Sequence, residues 1–205
     1  MTTPPFDAVV LAGGQGRRLG GTGKAEVVVG GRALLDRALD AVAGARRRVV
    51  VGPPALARPG VPTTLEEPPL GGPVAGIDAG LASLTTDGPD EATWVVVLAC
   101  DVPRAGEVVP ALLDGAGGPG AEGRDGVVAV DAQGRPQPLV GVYRRAALDR
   151  ALGRLRAEGG TRDRSVRSLV AGLDLVGVGV GHAADDTDTW QDVAAFDATP
   201  GGRGR

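Results

Sequence analysis

The chain has 205 residues, 42% hydrophobic and 23% charged, with a formal net charge of −3. That length suits a single domain with a real buried core. Aromatic residues at 2% and the slightly acidic balance exclude the stacking platforms and basic footprint of nucleic-acid binders, and a lone cysteine excludes a disulfide framework or a multi-cysteine zinc site.

In chain order, Ala8-Val-Val-Leu-Ala12 reads as a fully apolar strand running straight into glycines. Arg32–Ala43 carries Ala33, Leu34, Ala38, Leu39 and Val42 at helical spacing. Arg48–Val51 reads as a strand, Val74–Leu84 as a helix and Thr93–Ala99 as a second buried strand. Val108–Leu113 looks helical, Gly115–Gly126 reads as a loose glycine-rich loop, and Val127–Val130 and Leu139–Tyr143 read as strands. A helix over Ala146–Leu155, a strand over Leu173–Val180 and a helix over Thr189–Ala198 complete the pattern.

Apolar strands alternating with helices predict an α/β fold with a mostly parallel sheet covered on both faces. One domain is expected over residues 1–198, with a disordered tail at 199–205. No window reaches the roughly 18 apolar residues of a membrane span. The start, Met1-Thr-Thr-Pro-Pro-Phe-Asp7, lacks the positive and apolar regions of a secretory signal and is not expected to be one, while the lone Cys100 points to a reducing cytoplasm; no membrane partner is expected.

In such sheets ligands bind beyond the carboxyl ends of the strands, which directs attention to the residues after Ala12 and after Ala99. The first segment, Leu11-Ala-Gly-Gly-Gln-Gly-Arg-Arg-Leu-Gly-Gly-Thr-Gly-Lys24, offers small residues whose amides can approach an anion, with Arg17, Arg18 and Lys24 adding positive charge. A polyphosphate suits it. It is not a Walker A loop, because Arg18 stands where that loop needs glycine and Ala25 where it needs Ser or Thr. Nor is it a dinucleotide fingerprint, because Leu19 takes the third glycine's place. The bland alternative is an ordinary strand-to-helix turn. Lys24 stands out further: of 22 basic residues all the others are arginines, which suggests a place where a compact ammonium works and a planar fork does not.

After the second buried strand, Trp94-Val-Val-Val-Leu-Ala-Cys-Asp-Val-Pro103 sets Asp101 just past a carboxyl end. Facing a triphosphate, such a carboxylate suits Mg²⁺, which takes one or two carboxylates with phosphate oxygens and waters. The alternative is an aspartate capping the next helix. Cys100 is expected to pack as a small apolar residue, His182 to be incidental, and Ser165 and Ser168 to lack the base a nucleophile needs.

These segments resemble the MobA-like nucleotidyltransferases, whose best-known members are the molybdenum cofactor guanylyltransferases. The likeness runs from the glycine loop and Lys24 through Glu67-Pro-Pro-Leu-Gly-Gly-Pro-Val-Ala-Gly76, Ala99-Cys-Asp-Val-Pro103 and Gln137-Pro-Leu-Val-Gly-Val-Tyr-Arg-Arg145 to Asp186-Thr-Asp-Thr-Trp-Gln-Asp-Val193, in the family's order from about residue 7 to 198. It implies a Rossmann-like three-layer αβα fold of the nucleotide-diphospho-sugar transferase type and a Mg²⁺-dependent transfer of GMP from GTP to the phosphate of molybdenum-molybdopterin, releasing pyrophosphate. It further implies that Leu11, Ala12, Gly13, Gly14, Gly16 and Glu67 bind the nucleotide. Lys24 and Arg18 would act on the phosphates, Asp101 would hold Mg²⁺, and Asp186 and Asp188 would lie near the acceptor or a second metal. A molybdoenzyme or its chaperone is the further partner implied. Gly23, Glu67 and Gln137 depart from the family's usual aspartate, aspartate and histidine. They keep two alternatives open: a related transferase using CTP, or a sugar or lactyl phosphate acceptor, and a nucleotide-binding homologue that has lost catalysis.

Overall fold

Strand β1 (Phe6–Leu11) is buried along its whole length, Asp7 included, as its apolar run from Ala8 must be when helices cover both of its faces. The computed structural model describes residues 3–13, 23–84 and 92–185. After β1 come a short hairpin, β2 (Val28–Val29) and β3 (Arg32–Ala33), then helix α1 (Leu34–Ala41), β4 (Arg48–Val51) and β5 (Thr63–Thr64). Helix α2 (Gly72–Ser83), β6 (Trp94–Ala99), α3 (Ala105–Gly117), β7 (Gly126–Val130) and β8 (Pro136–Arg144) follow. The described chain continues through α4 (Arg145–Ala157), α5 (Val166–Val170) and β9 (Leu175–Gly179).

Seven strands form the central sheet in the order β5–β4–β1–β6–β8–β7–β9. Every neighbouring pair is parallel except the two made by β8, which runs against β6 and β7. Helices α1 and α3 pack on one face, with Leu35, Ala38, Leu39, Val108, Val109 and Leu112 in its core. Helices α2, α4 and α5 cover the other, burying Ile77, Leu81, Leu148, Leu152 and Leu169. The fold is therefore the three-layer α/β architecture expected from the alternation of elements.

Several details differ from the sequence reading. The stretch read as a loop from Gly115 begins as the last turn of α3, which runs from Ala105 to Gly117 around Pro110 because Val108, Val109, Leu112, Leu113 and Ala116 all bury. Residues 32–33 join the β2–β3 hairpin instead of opening the helix. Strand β5 and helix α5 add to the expected elements; each is too short to show a period. The reversed β8 has a physical cause: the few residues between β7 and β8 suffice for a hairpin but not for a parallel crossover. The helix expected over 189–198 and the tail at 199–205 lie outside the described residues.

The chain steps from β1 to β4 on one side and later returns to β6 on the other, so the direction of winding changes at β1 and β6. A crevice opens at their carboxyl ends, where open α/β sheets place ligands.

Candidate active site

The β1–β6 ladder ends with Leu11 opposite Ala99, and the Cys100 N–H donates to the Leu11 carbonyl at 3.0 Å, carrying the pairing one residue further. Cys100 and Val102 are both buried. With the residue on each side pinned in the core, Asp101 turns its carboxylate out into the crevice. It caps nothing, since α3 has Arg104 at its N-cap.

Lys24 comes from the other side of the crevice. It opens a single 3₁₀ turn, Lys24–Glu26, closed by the Glu26 N–H donating to the Gly23 carbonyl at 2.9 Å and anchored by the fully buried Ala25. Its Nζ donates to Asp101 Oδ2 at 2.8 Å. Both side chains are partly open to solvent, at 30% and 19% exposure, so the pair is reachable by a ligand.

These two groups line a cavity of about 690 Å³. Its floor is the carboxyl end of the sheet, with Leu11, Ala12, Gly13, Val51 and Ala99; its far wall is the loop carrying Leu65, Glu66, Pro69, Leu70, Gly72 and Pro73. A largely apolar hollow of this size lined by a few charged groups suits a nucleotide-sized molecule: an apolar wall can meet a base, and a cation–anion pair can meet phosphates and a counter-ion.

Of the residues singled out from sequence, Leu11, Ala12, Gly13, Lys24 and Asp101 meet around this cavity. Gly14, Gly16, Arg18, Asp186 and Asp188 lie outside the described residues. Glu67 is placed elsewhere: it lines a second, smaller hollow with Asp78, Arg156 and Arg162, while its neighbour Glu66 faces both. The Glu66 carboxylate accepts the Gly71 N–H at 3.1 Å, which fixes it on the wall. Sequence reasoning missed Glu66, although the pair Glu66–Glu67 was visible, because nothing local says which of two adjacent acids faces a given side.

Cys100 lines the cavity floor with its thiol pushed up to about 12, first by burial and then by the neighbouring Asp101 charge. It is a packing residue and not a nucleophile at neutral pH. Ser165 serves as the N-cap of α5, its Oγ accepting the Ser168 N–H at 3.1 Å. His182 is exposed and pairs with Asp185 at 2.9 Å, away from the cavity. Gln137 donates to Asp131 Oδ2 in the β7–β8 turn.

Among the described residues no cluster of three metal-binding side chains occurs. One carboxylate beside a polyphosphate-sized hollow is nonetheless the donor set Mg²⁺ uses when substrate oxygens and water supply the rest. The residues fit such an ion and do not fit an all-protein cage. No helix among the described residues is long and apolar enough to cross a membrane.

Known proteins resemble the chain over most of its length. The profile of the MobA-like NTP transferase domain matches residues 8–175. The chain is 35% identical over 147 residues to the molybdenum cofactor guanylyltransferase of Acidiphilium cryptum, covering 69% of this chain and 68% of the relative. It is 34% identical over 154 residues to a probable molybdenum cofactor guanylyltransferase of Deinococcus radiodurans, covering 75% of each. Among solved structures, the molybdopterin-guanine dinucleotide biosynthesis protein A of Archaeoglobus fulgidus superposes with a TM-score of 0.64 at 23% identity, over 92% of this chain and 95% of that one. The 2-C-methyl-D-erythritol 4-phosphate cytidylyltransferase of Thermus thermophilus superposes with a TM-score of 0.65 at 21% identity, over 93% and 97%. The fold is thus shared with nucleotidyltransferases of more than one specificity.

Proposed function

The chain belongs to the MobA-like NTP transferase family, and from that membership we propose that it moves GMP from GTP to the phosphate of molybdenum-molybdopterin, releasing pyrophosphate. The observation that carries the reading is the meeting of Lys24 with Asp101 in the lining of a nucleotide-sized cavity. We take residues 1–198 as one such domain, followed by a short tail, and place the enzyme in the cytoplasm.

In the proposed reaction an oxygen of the acceptor phosphate bonds to the α-phosphorus of GTP. The bond from that phosphorus to the bridging oxygen breaks, and its electron pair leaves with pyrophosphate. Two anions must approach, so alignment and charge neutralisation matter more than covalent help. Leu11, Ala12 and Gly13 hold the nucleoside against the end of the sheet, with Glu66 on the facing wall in place of Glu67. Lys24 and Arg18, with the amides of Gly13, Gly14 and Gly16, stabilise charge on the departing pyrophosphate. Asp101 would hold Mg²⁺, which when bound lowers the repulsion between the phosphates. The segment of Asp186 and Asp188 is assigned to the acceptor side. A phosphate acceptor is ionised at neutral pH, so no general base is required, consistent with the only histidine lying away from the cavity.

The test is direct. The protein, supplied with GTP, Mg²⁺ and molybdenum-molybdopterin, should release pyrophosphate and form the guanine dinucleotide, while CTP and ATP should not replace GTP. Binding of GTP without pyrophosphate release would mean a silent homologue. Turnover with CTP alone would mean a cytidylyltransferase.

A further inference from the structure

We propose that Arg162 and Asp163 form a clamp that positions the nucleoside wall of the active site, making Arg162 a positioning residue for nucleotide affinity and base discrimination. The proposal rests on the nucleotide-transfer reading above and concerns a segment about 90 residues further along the chain from the wall it holds.

The wall runs from Leu65 to Pro73 and has little means of holding itself. Pro68 and Pro69 contribute no N–H donors, and neither lies in a helix or strand whose ladder could hold its carbonyl. Arg162 supplies what is missing. Its Nη1 donates to the Pro68 carbonyl at 2.9 Å and to the Pro69 carbonyl at 3.3 Å. The Asp163 N–H donates to the Gly71 carbonyl at 2.8 Å. From the inside, the Gly71 N–H is taken by Glu66. The loop between Glu66 and Gly71 is thereby gripped on its outer side by 162–163 and tied internally.

A second observation points the same way. Among the described residues, those other than glycine that adopt a left-handed φ are Leu70, at 65°, and Asp163, at 56°. The bulky leucine pays for that conformation, which aspartate adopts more readily, and strain of this kind persists only where the surroundings over-determine the backbone. Both sit in this clamp, one on each partner. Leu70 is also 61% exposed while lining the cavity, so the strained backbone presents an uncovered apolar side chain to whatever enters. The stretch it occupies lines the same cavity as Leu11, Ala12 and Gly13, the residues assigned above to the nucleoside, and it contributes apolar side chains and no cation, so its position should govern the nucleoside more than the phosphates.

The experiment compares the wild-type protein with Arg162→Ala and Arg162→Lys. Affinities for GTP, CTP and ATP in Mg²⁺ are read by calorimetry, steady-state constants by pyrophosphate release, and folding by thermal melting. Arg162→Ala should weaken GTP binding by about five- to tenfold, the scale of losing one or two hydrogen bonds to the wall, and narrow the preference for GTP over CTP. KM for GTP should rise while kcat stays within about threefold, since the groups that meet the transferring phosphate are untouched. Arg162→Lys, which can reach one carbonyl, should recover part of the affinity. Because Arg162 is about half exposed, the melting point should move little; if Arg162→Ala nevertheless fails to fold, Arg162→Lys carries the test alone. Unchanged GTP affinity and preference in a folded variant would overturn the clamp, as would a rise confined to the KM for the acceptor, which would mean direct contact with that substrate. Absence of NTP binding by the wild type would instead overturn the transferase reading on which the clamp depends.

Discussion

Lys24 and Asp101 lie 77 positions apart in the chain, yet the ammonium of one donates to the carboxylate of the other at 2.8 Å. In the free protein each charge compensates the other at a half-buried site, which limits the cost of holding both there. A triphosphate with its cation offers each a replacement partner of the right sign: phosphate oxygens for Lys24, a metal ion for Asp101. The pair therefore holds two opposite charges together at the cavity while both stay partly open to solvent.

Asp101→Asn keeps the shape of the side chain and removes its charge. If the carboxylate holds the ion at the transferring phosphate, turnover should fall by about two powers of ten or more, the scale of losing a contact made in the transition state. The thermal melt of the variant without nucleotide should stay close to wild type, because the lost ion pair is partly solvated. Single-turnover pyrophosphate release checks it, and an unaffected rate would remove Asp101 from the reaction.

Lys24→Arg preserves the charge but exchanges a compact ammonium for a wide planar group. The 3₁₀ turn on the buried Ala25 fixes where the Lys24 side chain begins. A guanidinium should be displaced from both Asp101 and the phosphates, lowering kcat/KM by roughly tenfold or more. Full activity in steady-state assays would show that position 24 needs only positive charge.

Much of this arrangement is legible in the amino-acid sequence. Arg48–Val51 and Trp94–Ala99 are strands because runs of β-branched residues without polar alternation can only lie where both faces are covered. Asp101 stands out because it lies just past such a run, and Lys24 because it closes the glycine-rich loop as the one lysine among 22 basic residues. The outer wall of the cavity is not legible as geometry, although its residues form a motif. A loop with two prolines carries no period, and its position depends on Arg162 and Asp163, which nothing in the local sequence connects to it. The direction of β8 is hidden for a similar reason: an apolar strand reads the same both ways, and only the short link from Val130 to Pro136 reveals the reversal.

Cys100 gives a chemical reading of the cavity floor. With its thiol near 12, about one molecule in ten thousand carries the thiolate at pH 8. Alkylation by iodoacetamide should be slow at neutral pH and climb tenfold per pH unit through pH 10. Since burial is the larger cause and the Asp101 charge the second, Asp101→Asn should speed the reaction only modestly at fixed pH. Mass spectrometry of the modified chain over time measures both. Rapid labelling at pH 7 would mean the floor is open.

Helix α2, whose first turn lines the cavity, owes its height above the sheet to Gly80. A Cβ there would stand 2.6 Å from Val9 Cγ1 and 3.0 Å from Val51 Cγ2, closer than packed carbons allow. Gly80→Ala gains helix propensity, but it must push α2 off β1 and β4, and the overpacking should dominate by about 1–3 kcal/mol. Calorimetry should show a melting temperature lowered by roughly 3–10 °C. The displaced helix should also weaken GTP binding. A stabilised variant would show that the layers can part without cost.

The turn between β7 and β8 should give the fold an acid-sensitive element. Asp131 accepts the backbone N–H groups of Arg135 and Gln133 on one oxygen and the side chains of Arg135 and Gln137 on the other, each at 2.9 Å. The Arg135 backbone bond above all, with the other donors, outweighs burial and holds the carboxyl below its ordinary value. A group whose folded-state pKa is depressed binds its proton more readily when unfolded, so its stabilising effect is complete above the unfolded value of about 3.9 and disappears as pH falls through the lower folded value. Thermal melts of wild type and Asp131→Asn should therefore differ most near pH 7, with the wild type higher, and converge as the pH drops below about 4. The amide keeps one oxygen for the backbone donors, so the turn should still form in the variant and the comparison reports the charge. A gap that stays constant from neutral to acid would mean that the carboxylate is no better held folded than unfolded.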